Sequence, residues 1–334
     1  MQSILVTGGA GYVGSGLLRV LLDRGATVTC VDTLDFGGES LLDIYLHPRF
    51  LFHKCDITDY AAFDAVLTAR SYDAVVHLAA VVGDPACKRE SDRAHKVNGE
   101  ASRRLLDKCR ELGIPRFVFA STCSNYGKMP DPSSYVREDS PLSPVSLYAE
   151  LKVAFEKYML EEIEKTPAFS PTALRFSTVY GLSPRMRFDL TVNEFTKELA
   201  MGRELVVFGE QFWRPYCHVR DFSGAITAVL DAPAEKVAYD VFNVGDTAEN
   251  YTKQMLVEEM ARLIPGSRIK YVSKQEDPRD YRVDFSKIKE RLGFAITRTV
   301  PEGIAEVRDV VRLGVITDPE DQRYYNIPHQ RPQA

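Results

Sequence analysis

Short apolar runs and stretches of helical spacing alternate along the first half of the chain. Ser3–Thr7 is an apolar run followed by glycines, and Tyr12–Asp23 behind it is amphipathic with helical periodicity. Thr27–Val31, Phe50–Cys55, Ala74–Leu78, Arg116–Ala120 and Thr172–Phe176 read as further strands, while Tyr60–Ala69, His95–Leu112 and Ser146–Glu164 read as helices. Apolar strands alternating with helices predict an α/β fold with a doubly wound parallel sheet covered on both faces. After about Tyr180 the regularity fades and arginines cluster at Arg185, Arg187, Arg214, Arg279 and Arg282. This part is expected to form a smaller C-terminal α/β substrate lobe over the carboxyl ends of the strands, where open α/β sheets bind ligands. The polar, proline-bearing tail from Pro319 is expected to be extended.

The glycines after the first strand change a fold into a binding site. Gly8, Gly11 and Gly14 are spaced Gly-x-x-Gly-x-x-Gly, with Tyr12 and Val13 between the last two. Without side chains the backbone turns tightly and approaches a pyrophosphate, and the helix that opens there supplies N–H groups and the positive end of a dipole. Asp32 ends the second strand, where an acid can take both hydroxyls of an adenosine ribose and repel a 2′-phosphate. No Arg or Lys follows in Thr33-Leu34-Asp35-Phe36, so NAD is expected rather than NADP. Asp56 and Ile57, after the third strand, are candidates for the adenine. The sheet is therefore expected to be of Rossmann type: residues 1–180 form the NAD-binding domain, 213–245 return to it, and 181–212 with 246–334 form the substrate lobe.

Tyr148 and Lys152 stand at i and i+4, on one face of a helix. A free tyrosine titrates near ~10 and is a poor base at neutral pH, but a nearby cation favours the phenolate. Tyr148 can then take a hydroxyl proton while the carbon reduces the cofactor. The pair alone is a weak signal; its order after the glycine loop and Asp32 gives it weight. Upstream, Ser121-Thr122-Cys123-Ser124 follows a strand, and Thr122 is chosen to hydrogen-bond the reacting oxygen.

Composition excludes several other classes. The chain has 334 residues, with 45% hydrophobic and 27% charged, enough for a core without disulfides. Its 6 cysteines form no C-x-x-C pair and no zinc spacing, which argues against a metal and for a reducing compartment. A net charge of −5 carries no nucleic-acid footprint. No leader can be fitted ahead of Ser3 and no apolar run is long enough for a membrane span, so a cytoplasmic protein is expected.

Together these segments resemble the extended short-chain dehydrogenase/reductase family, the NAD-dependent nucleotide-sugar epimerases and dehydratases. The resemblance runs over roughly residues 3–300 and rests on Val6–Gly14, Val76-His77-Leu78-Ala79-Ala80, Ser121-Thr122…Tyr126-Gly127, Tyr148…Lys152, Leu174-Arg175-Phe176…Tyr180-Gly181 and Arg214–Asp221. It implies a tightly held NAD, contacted also by Leu78, Ala79, Ala80 and Asn98, and a nucleotide-sugar (GDP- or UDP-linked) under the C-terminal lobe. It further implies a homodimer through helices 95–112 and 146–164. Arg214 and Arg279 match family positions that bind the substrate pyrophosphate; Arg187, Asp189 and Leu190 fall where the family contacts the nucleotide. Phe208 is either a stacking platform for the base or part of the core.

The family's 4,6-dehydratases resemble Ser-Thr-Asp-Glu-x-Tyr-Gly, and here Cys123 and Ser124 occupy the Asp and Glu columns. A serine cannot take the C5 proton, and a neutral thiol is a weak acid. The expected reaction is therefore oxidation of the sugar C4 hydroxyl, with the ketone re-reduced (an epimerase) or released (a 4-dehydrogenase). An atypical dehydratase using Cys123 is the alternative. Residues 82–89 and 183–196 also resemble a branch that includes GDP-heptose 4-dehydrogenases. An NAD-sensing protein without catalysis is a reading of another class, and retention of both Tyr148 and Lys152 counts against it.

Overall fold

A computed structural model of the chain describes residues 2–129, 131, 134–273 and 279–329. Seven strands form one parallel sheet: β1 (Ser3–Thr7), β2 (Thr27–Asp32), β3 (Phe50–Lys54), β4 (Ala74–His77), β5 (Arg116–Thr122), β6 (Ser170–Phe176) and, after β7 (Thr178–Tyr180), β8 (Glu204–Phe208) and β9 (Trp213–His218), the edge strand β10 (Asp240–Val244). The order across the sheet is β10-β6-β5-β4-β1-β2-β3, every pairing parallel. The chain winds one way from β1 to β3 and the other way from β4, so β1 and β4 flank the switch point at which such sheets bind ligands. The apolar strands are almost wholly buried because helices cover both faces; Tyr12–Asp23 and Val219–Asp231 pack together on one of them.

The other strands form two smaller sheets. β9 pairs with β7 and with β11 (Asn250–Thr252), and β8 pairs with β12 (Arg268–Val272). Helices Thr191–Ala200, Lys253–Leu263 and Val300–Arg312 pack around them on Leu199, Leu256, Met260 and Ile304. No helix among the described residues is long and apolar enough to cross a membrane.

Two expected helices differ from the regular form. His95–Glu111 begins as a π-helix over His95–Ala101 before Ser102–Glu111 becomes α-helical, and Leu147–Lys157 ends in a π-turn over Tyr158–Glu162. Wide turns of this kind re-aim side chains and often accompany functional sites. The tail is not a free extended end. Phe188 N–H bonds the Tyr324 carbonyl, and the buried Lys197 ammonium bonds Glu320 and the Tyr325 hydroxyl, which ties residues 318–329 to the lobe above the sheet.

Candidate active site

The cavity at the switch point is built first by glycines. Gly8 has φ +74, and a Cβ there would lie 2.7 Å from the Ala79 nitrogen; a Cβ on Gly14 would lie 2.3 Å from the Gly8 carbonyl. Any side chain at either position would collide with backbone, so the loop holds its shape only as glycine. Gly11 opens helix Tyr12–Asp23 without a side-chain cap among the described residues, which leaves the first-turn N–H groups facing the cavity.

Asp32 closes one end. Its carboxylate accepts Ala10 N–H at 3.0 Å and Leu34 N–H at 2.8 Å. Leu34 adopts φ 62, a strained conformation for a branched side chain, and this turns its N–H onto the carboxylate. Burial pushes the Asp32 carboxyl above the usual range, and the two N–H groups oppose that rise. Asp32→Ala should cut the preference for NAD over NADP by about tenfold or more, by removing the charge that repels a 2′-phosphate. Calorimetry showing the parent's ratio in the variant would contradict this role.

The other end holds the expected catalytic residues. β5 delivers Thr122, and helix Leu147–Lys157 delivers Tyr148 and Lys152; all three line the cavity that the glycine loop and Asp32 line. Ser146 caps that helix through Ala149 N–H and donates to Asp84 at 2.7 Å, which fixes the angle at which Tyr148 enters. Lys152 is 4% exposed, donates to the Ala120 carbonyl at 2.7 Å, and stands 4.5 Å from the Phe119 ring centroid and 5.8 Å from that of Tyr148. Burial lowers its pKa to about 8. Burial raises the Tyr148 phenol above its ordinary value, with Cys87 and Asp84 adding to the rise. The Thr122 hydroxyl accepts Ser124 N–H at 3.1 Å, so its own hydrogen stays available to a substrate oxygen.

A buried network holds Thr122 in place. Arg175 pairs with Glu156 at 2.8 Å, Glu156 accepts from Ser121 and Asn125, and Arg175 also bonds the Tyr126 hydroxyl. Deleting one partner of such a pair costs about 3–5 kcal/mol, because the other charge is left buried alone.

Gly8, Gly11, Tyr12, Val13, Gly14, Asp32, Asp56, Ile57, Leu78, Ala79 and Ala80 all line this cavity, as does Arg187. Asn98 does not line it. Its side-chain amide accepts Val81 N–H at 2.8 Å and donates to the Val81 carbonyl at 2.9 Å, so it shapes the loop after β4 from beneath. Cys123 departs most from expectation. It is 1% exposed and its thiol donates to the Arg175 carbonyl at 3.2 Å, facing the core under the sheet. Burial pushes the thiol far above its usual range. Ser124 also lies outside the cavity lining.

The expected substrate residues are spread more widely. Arg187 grips Asp189 through two bonds of 2.8 Å, which commits both charges to each other. Leu190 packs beside Phe188 at the start of helix Thr191–Ala200. Arg214 lies over the Tyr281 ring at 5.4 Å, and Arg279 bonds Asp84 at 2.9 Å, the same carboxylate that holds Ser146. Phe208 is 52% exposed on β8, away from this cavity and not in the core. The cavity also takes in Ser121, from the motif that carries Thr122, and Phe36, Arg185 and Asn326, which the motifs do not single out. Arg185 was visible as one arginine of a cluster; Asn326 carries no local signal, since only the path of the tail brings it there.

A dinucleotide fits these residues: a glycine cradle no Cβ could enter, a helix start with open N–H groups, an acid at the ribose end, and a buried guanidinium with unpaired nitrogens in the wall. Comparison with known proteins agrees. A dTDP-glucose 4,6-dehydratase of Streptomyces griseus is 31% identical over 312 residues, covering 90% of this chain and 92% of its own. The UDP-glucose 4-epimerase of Thermus thermophilus, solved with NAD, superposes with a TM-score of 0.79 at 25% identity over 93% of this chain and 99% of its own. The UDP-glucose 4-epimerase of Thermotoga maritima, solved with UDP-glucose, gives 0.82 at 27% identity over 94% and 99%. The model of the NAD dependent epimerase/dehydratase family matches residues 4–245. The chain belongs to that family, as an NAD-dependent enzyme of the extended short-chain dehydrogenase/reductase type.

Proposed function

We propose that the enzyme oxidises the C4 hydroxyl of a nucleotide-linked sugar without net loss of water, and that the ketone is re-reduced to the 4-epimer or released. The observation that carries this reading is the composition of the cavity wall: Thr122, Tyr148 and Lys152 line it, and Cys123 and Ser124 do not. NAD, when bound, accepts the hydrogen and electron pair of the C4–H bond and can return them. Thr122 donates a hydrogen bond to the C4 oxygen and orients it. The Tyr148 oxygen takes the proton of that hydroxyl, and in the return step gives it back. Lys152 places a positive charge one turn from Tyr148 and favours the phenolate against the effect of burial.

The dehydratase reading has support from the Streptomyces relative's name. Against it stands Cys123, whose thiol faces the Arg175 carbonyl and could reach a C6 hydroxyl only by leaving the core. The nucleotide base belongs to the proposal as well. The resemblance of residues 82–89 and 183–196 favours a GDP-linked heptose, whereas the Thermus and Thermotoga relatives are UDP-glucose 4-epimerases by name. The test is to incubate the enzyme with GDP-, UDP- and dTDP-linked sugars and weigh the products. A product of unchanged mass, or one two hydrogens lighter, is expected from both the parent and Cys123→Ala. A product lighter by one water would contradict the reading.

A further inference from the structure

The mechanism leaves Arg185 in the cavity wall unused; of the other arginines there, Arg93 pairs with Asp35 and Glu90, and Arg187 with Asp189. Arg185 is 6% exposed, and its Nε and Nη2 are buried with no hydrogen-bond partner among the described residues. The guanidinium carbon sits 4.2 Å from the Phe36 ring centroid, four residues past Asp32 in the loop after β2. The backbone around it is fastened to the first turn of helix Tyr12–Asp23. Ser183 Oγ donates to the Tyr12 carbonyl at 2.6 Å and contacts Ser15 Oγ at 3.0 Å, and Arg185 N–H reaches Ser15 Oγ at 3.4 Å. The side chain therefore spans from the helix start, where a pyrophosphate belongs, to the acid end of the cavity.

Its charged neighbours do not satisfy it. Arg187 repels it and is itself committed to Asp189; Asp32 attracts it but spends its oxygens on the N–H groups of Ala10 and Leu34. Burial, then Arg187, lower its pKa to about 10, the response of a cation that lacks a bonded anion. A second unpaired group stands in the same wall. Asn326 lines the cavity, its Oδ1 is buried without a partner among the described residues, and its backbone N–H is tied to Asp189 at 3.1 Å. Unpaired buried polar atoms are costly, so two in one wall mark a place where a ligand supplies the missing bonds.

We propose that Arg185 binds the pyrophosphate of NAD from the side opposite the glycine loop, and that Asn326 takes an adjoining ribose hydroxyl. The cofactor is then held by the second lobe and the C-terminal tail as well as by the parallel sheet. It can leave only when the 183–187 segment and the tail release it, which gives a tightly retained NAD a physical cause.

The test reads cofactor release and needs no substrate. Holoenzyme is chased with excess isotopically labelled NAD, and departure of the unlabelled cofactor is followed by mass spectrometry. Arg185→Met keeps an unbranched stem over Phe36 and removes the charge; it should speed release by about 10–100-fold, Arg185→Lys by less, and Asn326→Ala by several-fold. ADP and adenosine are then compared as competitors for labelled NAD. Arg185→Met should shrink the advantage of ADP over adenosine by a similar factor, because only ADP carries the pyrophosphate. With nucleotide stripped, the Met variant should melt at the parent's temperature or higher, since an unpaired buried charge has been removed. Unchanged release, or an unchanged ADP advantage, would overturn the assignment. So would a variant that releases NAD at the parent's rate yet binds UDP more weakly, because Arg185 would then serve the substrate's diphosphate. A lower melting temperature of the stripped Met variant would also overturn it, by making Arg185 a structural prop on Phe36.

Discussion

Replacing Tyr148 with phenylalanine should lower turnover by about 10²–10⁴-fold while NAD affinity stays within a few-fold of the parent. The ring remains, so packing in the cavity wall is kept, and only the oxygen that exchanges a proton with the substrate is lost. Burial holds this phenol above its ordinary value, so at neutral pH only a small fraction is ionised unless a cation lies close. Turnover in the parent should therefore rise with pH through the neutral range, and that rise should vanish in the Phe variant. Steady-state kinetics beside calorimetric NAD binding separates the two effects. Near-parental turnover in Tyr148→Phe would mean that another group takes the proton.

Replacing Lys152 with methionine should do two opposite things. Turnover should fall by about two orders of magnitude or more, because the charge that supports the phenolate is gone. Stability of the nucleotide-free protein at neutral pH should rise, by on the order of 1–3 kcal/mol. The sign follows from the depressed pKa. The folded chain releases the lysine proton at about 8, while the unfolded chain keeps it up to the ordinary 10.5. Between those values the unfolded state binds more protons, so the parent gains stability as pH rises from 8 to 10.5, and below 8 it carries the full cost of the buried charge. The Met variant has neither the cost nor the slope. Urea unfolding from pH 7 to 10 checks both: a less stable variant at pH 7, or a parent whose slope over that window the variant shares, would contradict the account. The site then holds a destabilising charge that serves function, a trade common in active sites.

Much of the fold was legible because local signals and global structure agree. The β1 run, the Gly8–Gly14 spacing and the amphipathic Tyr12–Asp23 each specify their element alone, and helix Tyr12–Asp23 has the bounds its periodicity predicts. The facing of Tyr148 and Lys152 follows from i and i+4 on one helix. What was not legible depends on contacts distant in sequence or on irregular backbone. Nothing in His95–Glu111 announces a π-turn, and that turn helps decide that Asn98 bonds the Val81 backbone rather than facing the cavity. Cys123 was expected where the dehydratase pattern has an acid, but β5 ends at Thr122 and a tight turn over Cys123–Tyr126 buries the thiol against the Arg175 carbonyl. Arg187 and Asp189, two residues expected at the nucleotide, pair with each other, a contact their spacing of two residues did not announce. Arg185 and Asn326 join the cavity through contacts distant in sequence: Ser183 and Arg185 bond the first turn of helix Tyr12–Asp23, and Asn326 N–H bonds Asp189.

On the proposed function, the C4–H bond of a nucleotide-linked sugar is broken in the cavity that Thr122, Tyr148 and Lys152 share with the glycine loop. A single turnover of holoenzyme with a nucleotide-sugar deuterated at C4, quenched in cold base at several times, with both cofactor and sugar weighed, tests this directly. In the parent, deuterium is expected in the reduced cofactor during turnover and, where the epimer forms, back at C4 of the product; almost no transfer is expected on the same timescale in Tyr148→Phe, and the sugar should lose no water. Loss of the C4 deuterium to water as product forms, or deuterium transfer that Tyr148→Phe leaves at the parent's rate, would contradict this reading.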